Sequence, residues 1–70
     1  MIDIGYTTTA FEDTIEESVQ TIEEANTAIF ALKNSLSSRD DIHQLFMQHR
    51  YENQDGEVIT EQFAWLDPTE

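Results

Sequence analysis

The sequence predicts a small α+β domain: one long and one short α-helix packed on a small antiparallel sheet made of an N-terminal strand and a C-terminal β-hairpin. Three observations predict it. Ile2, Ile4 and Tyr6 alternate as a strand does; apolar residues recur at helical spacing from Phe11 to Leu36; and the turn sequence Asn53-Gln54-Asp55-Gly56 separates two runs that sort into an apolar and a polar side. An all-α arrangement is the alternative, because Ile59, Phe63 and Leu66 also fit helical spacing and "TEQFAWL" reads as a last short helix.

Taken in order, a strand is expected over residues 1–6, with Gly5 weakening it. Thr9 and Glu12 form a T-x-x-E capping box, which starts a helix at Ala10. Phe11, Ile15, Ser18, Ile22, Ala25, Ile29, Leu32 and Leu36 then fall at spacings of four and three, with no Gly or Pro among them. That seam predicts one helix over residues 10–36, about 40 Å long at the rise of an α-helix. Ser38 followed by Asp41 signals a short helix over 39–46, with Ile42, Leu45 and Phe46 on one face.

The stretch "YENQDGEVIT" reads either as a calcium loop or as a hairpin turn. With Gly56 at the sixth loop position, Tyr51 would take the first and Gln62 the twelfth, where calcium requires an acidic ligand and a bidentate Glu. Neither residue can serve. As a type I turn with a G1 bulge, Asn53 starts the turn and Gly56 takes the left-handed position. Residues 47–65 then form a hairpin that sets Tyr51 opposite Ile59, His49 opposite Glu61 and Met47 opposite Phe63, with Trp65 on the same apolar face. Pro68 marks residues 66–70 as a tail.

Seventy residues make one domain, which buries only about 60% of its unfolded surface. There is no cysteine, which excludes disulfides and thiolate metal sites. No apolar run approaches the roughly 20 residues of a membrane span, and "MIDIGY" has no signal-peptide pattern, so a cytoplasmic protein of a bacterial cell is expected. Fifteen acids face Lys33, Arg39 and Arg50, a formal net charge of −12. Such a load opposes direct contact with nucleic acid or an anionic membrane and attracts basic proteins from a distance. A hydrophobic fraction of 39%, patterned along the chain, argues against an acidic disordered segment.

The acids fall into groups. On the predicted long helix, Glu12, Asp13, Glu16, Glu17, Glu23 and Glu24 crowd the face opposite the seam, with no lysine interleaved. Asp40 and Asp41 lie at the turn between the helices, and Glu52, Asp55 and Glu57 at the hairpin. A solvated face is the bland reading; an unrelieved run of carboxylates is also what pairs with the Arg and Lys that hold phosphates. Phe30, opposite the seam, is either covered by the short helix or an apolar partner contact, and the seam permits a homodimer. His43 and His49 share no helix face, so no metal is expected, and neither a cofactor nor catalysis is expected from a chain with no nucleophile motif or phosphate loop.

The expected function is therefore that of a non-catalytic acidic inhibitor, a DNA mimic that covers the basic nucleic-acid-binding surface of a host protein. Its size and charge are of the kind phages and mobile elements use against restriction enzymes, CRISPR effectors, DNA-repair and nucleoid proteins; no motif ties it to one such family. The alternative is a small helical adaptor or dimeric assembly module, charged only for solubility.

Overall fold

The alternation of Ile2, Ile4 and Tyr6 decides which side of the first strand carries the apolar core: all three belong to it, at 5%, 1% and 7% exposure. The structure is a computed structural model and describes residues 1–68. Its elements are β1 (Ile2–Thr8), β2 (Asp13–Val19), α1 (Ile22–Ser35), β3 (Ile42–Glu52) and β4 (Val58–Leu66). The strands form one antiparallel sheet in the order β2-β1-β3-β4, so the first strand is internal and β2 and β4 are its edges. The register puts Ile4 between Glu17 and Met47, and Tyr6 between Thr14 and Leu45. On that face α1 lays Ala25, Ala28 and Ile29, with Leu32 and Leu36 beside them. Two alanines let the helix approach the sheet closely, and Ala25 and Leu45 are wholly buried.

The helix begins where its cap is. Thr21, in extended conformation, accepts a hydrogen bond from the Glu24 N–H at 3.2 Å, and its hydroxyl donates to the Glu24 carboxylate at 3.0 Å. Glu23 and Glu24 in the first turn and Lys33 in the last complement the helix dipole.

The expected pair of helices is therefore corrected to one helix and four strands, and the all-α alternative falls with it. Residues 10–36 are not one helix: 13–19 are strand and the helix starts at Ile22. Thr9 and Glu12 belong instead to the β1–β2 turn, where the Thr8 N–H donates to the Glu12 carbonyl at 3.0 Å and the Glu12 N–H to Thr8 Oγ1 at 3.3 Å. The physical reason is twofold. Like charges at Glu12/Glu16 and Asp13/Glu17 disfavour a helix there, and β1 needs a partner on each edge, one of which β2 supplies with the β-branched residues Thr14, Ile15 and Val19. The expected short helix over 39–46 is likewise the start of β3, because Ile42 to Met47 pair with the other edge of β1. Asp41, expected as part of a cap signal, is bound by Arg39.

At the other end, Asn53 Oδ1 accepts from the N–H groups of Asp55 and Glu57, each at 2.9 Å, and Gly56 has φ 83°. Tyr51 faces Ile59 and His49 faces Glu61. The expected Met47–Phe63 pairing is not made: a bulge shifts the register, Met47 faces Ala64, and Phe63 stacks on the His49 ring, 4.5 Å between centroids. The shift also moves Trp65 off the expected apolar face. It pairs with Phe46 on the side of the sheet away from α1 and stays half exposed, as does Tyr51. Of the expected tail 66–70, Leu66 ends β4, and residues 69 and 70 lie outside the described residues.

Phe46 is only 1% exposed although no helix covers its side of the sheet. It lies across from Gly5 in the register. A Cβ on Gly5 would sit 2.1 Å from the Thr14 carbonyl oxygen, beside the bulge where Glu16 is the extra residue of β2. Gly5→Ala is accordingly expected to force β1 and β2 apart and destabilise the fold by about 3 kcal/mol or more. Urea unfolding followed by circular dichroism measures it; a midpoint equal to the parent's would show that the bulge can relax.

Candidate protein-binding surface

Two of the three cations are held by carboxylates that serve the fold. Asp3, 3% exposed on the sheet face away from α1, accepts from Ser18 Oγ at 2.6 Å and Gln48 Nε2 at 2.9 Å, and pairs with Arg50 Nε at 3.2 Å. One side chain thus ties β2, β1 and β3 together. Burial alone would raise its pKa; the hydrogen bonds from Ser18 and Gln48, with the charges of Arg50 and the N-terminus, outweigh burial and hold it below the usual carboxylate range. Arg39 grips Asp41 with Nε at 2.9 Å and Nη2 at 2.6 Å, which lowers the Asp41 pKa, and its guanidinium lies 5.4 Å from the Tyr6 ring centroid.

The remaining acids are placed by the topology. The connection from β2 into α1 brings Glu17 of the edge strand alongside Glu23 and Glu24 of the first helical turn, with Glu16 further along the same edge. Between them runs an open groove, formed by a cleft of about 510 Å3 toward the start of α1 and one of about 460 Å3 toward its end. The two share Glu17, Ala28 and Ala31. The carboxylates line the groove together with Val19, Ala28, Ala31 and Leu32. All four glutamates are solvent-exposed.

The other expected site residues are not gathered there. Glu12 is in the β1–β2 turn, and Asp13 begins β2 and accepts the Thr7 hydroxyl at 2.7 Å. Asp40 and Asp41 precede β3. Glu52, Asp55 and Glu57 occupy the β3–β4 hairpin, at the margin of the sheet opposite β2. The single acidic helix face expected from the sequence is thus corrected to a turn, an edge strand and the first turn of α1, because four of its six residues, Glu12, Asp13, Glu16 and Glu17, precede the helix. Phe30 is not covered by a second helix; it is 61% exposed on α1, and Ile22 is 48% exposed. The expected dimer seam does not exist as one helix, since Phe11 and Ile15 lie outside α1 and are exposed.

The apolar lining of the groove is not legible in the sequence, where Ala28 and Ala31 look like ordinary helix residues. Phe11 has a visible anomaly only in the structure: φ is 61° and the side chain is 80% exposed, edge-on to His43. Among the described residues no group of three His, Asp or Glu side chains is disposed to hold a metal ion, and no helix is long and apolar enough to cross a membrane. Set against models of known families, curated proteins and solved structures, the chain matches none of them.

Because the folded-state pKa of Asp3 is depressed, its contribution to stability is fully present above the unfolded value of about 3.9 and is lost as pH falls through the folded one. Asp3→Asn is expected to cost roughly 1–3 kcal/mol near pH 7. The gap to the parent should close as the pH is lowered toward about 3 and below, in urea midpoints taken across that range. A gap independent of pH would show that the charge of Asp3 plays no part.

Proposed function

We propose that this chain is a non-catalytic acidic inhibitor that covers the basic nucleic-acid-binding surface of another protein. The observation that carries this reading is the groove: Glu16, Glu17, Glu23 and Glu24 line it, and the pairs that Arg39 and Arg50 make lie elsewhere. Exposed carboxylates on a rigid edge offer Arg and Lys the same charge-assisted pairing that phosphates offer. The acids stand on two margins of the sheet, so the mimicry is of a charged track at the β2–α1 edge, with the hairpin acids steering the approach. In a bacterial cell, a phage or mobile element would use such a protein against a host restriction, CRISPR, repair or nucleoid protein.

A second reading is an adaptor that docks through α1, and it rests on the exposure of Phe30 and Ile22. The two differ in salt dependence, because exposed ion pairs are screened and apolar contacts are not.

Affinity capture from a nuclease-treated bacterial lysate tests both. The proposed function predicts a basic partner held at low salt, released at high salt and displaced by duplex DNA. Replacing Glu16, Glu17 and Glu23 together by Lys should weaken capture on the order of a hundredfold, while Phe30→Ala leaves it intact. Glu24 is spared because it completes the helix cap. Capture unchanged by the triple replacement would rule out the mimic, and capture lost with Phe30→Ala alone would establish the adaptor.

A further inference from the structure

The two edges of the sheet are unlike. β4 carries a single acid, Glu61, along nine residues; β2 carries Asp13, Glu16 and Glu17 in seven, and among the described residues no strand lies beside its outer edge. An edge strand presents a row of backbone donors and acceptors to any chain that can lie against it. A second copy of β2 is a poor occupant, because like charges would meet across the pair. A basic segment is complementary.

We infer that β2 accepts an extended basic segment of the partner as a fifth strand, whose alternate side chains drop into the groove beneath α1. The inference rests on the proposed function and specifies how its partner is held. Register supplies the details. Glu17 faces the same side as Ile4, toward α1, and Glu16 lines the groove as well. Ile15 pairs with Gly5 and faces the other side, 45% exposed. A strand alongside β2 would therefore turn one set of side chains to Glu16, Glu17 and Glu23 and the other set to Ile15. The matching sequence alternates Lys or Arg with an apolar residue over about seven positions, the length of β2. Methylene stems of the basic residues would lie on Ala28 and Ala31 while their charged ends reach the carboxylates.

The probes are three synthetic peptides: an alternating Lys–Val peptide, the same peptide N-methylated at alternate residues, and a helical peptide of equal charge. Isotope-labelled protein is titrated with each, and amide shifts and hydrogen exchange are followed. The expected result is slowed exchange at β2 amides with the first peptide, weakened roughly tenfold by Glu17→Lys and lost on N-methylation. Ile15→Thr keeps the β-branch and should reduce binding without altering the fold. If the helical peptide shifts the groove residues and no peptide protects β2, the strand mode is overturned while the inhibitor reading stands. If no basic peptide perturbs β2 or α1, yet lysate capture still depends on salt and DNA, the inference alone fails. If capture is indifferent to salt, the proposed function fails whatever the peptides do.

Discussion

The strand that begins the chain must find backbone partners on both of its edges, and the rest of the fold follows from that. Internal strands are stable only when both rows of N–H and C=O groups are paired. Here β2 satisfies one row and β3, more than thirty residues further on, satisfies the other. Each face of β1 then receives its own solution. Ile2, Ile4 and Tyr6 take α1 as a lid, whereas Asp3 and Gly5 sit on a side that no helix covers. On that side a carboxylate held by Ser18, Gln48 and Arg50 and a ring laid across a glycine replace a second apolar layer.

This arrangement explains how a chain of net charge −12 remains folded. Two acids that would otherwise add to the repulsion, buried Asp3 and half-exposed Asp41, are put to structural use, and each takes an arginine. Most of the other acids among the described residues are spread over the β2–α1 edge, the hairpin and the turns, where water and salt screen them. Glu23 and Glu24 are further favoured by the positive end of the α1 dipole. The acids of β2 would oppose pairing of this edge strand with a second copy of itself, and the same charge would suit the basic partner proposed above.

The sequence was legible where a local interaction sets the conformation. The turn at Asn53 to Gly56 is legible because a side chain, a left-handed glycine and the flanking register all agree. The helix from Ile22 onward is legible too, but its start is not, because Thr21 and Glu24 carry the same T-x-x-E signature as Thr9 and Glu12. The groove was half legible. Its glutamates stood out by charge, but their neighbours across the groove were set by a strand-to-helix connection that no spacing rule reveals.

What the sequence alone determined was the charge, the absence of cysteine, the buried alternation of Ile2, Ile4 and Tyr6, and the hairpin turn. Each rests on composition or on contacts within a few residues. Only the tertiary structure decided whether residues 13–19 and 42–46 were helix or strand. Phe11, Ile15, Ser18 and Ile22 satisfy a helical spacing, and so do Ile42, Leu45 and Phe46. In both segments the choice fell to the hydrogen bonds waiting on the two edges of β1, a non-local demand that outweighs local periodicity.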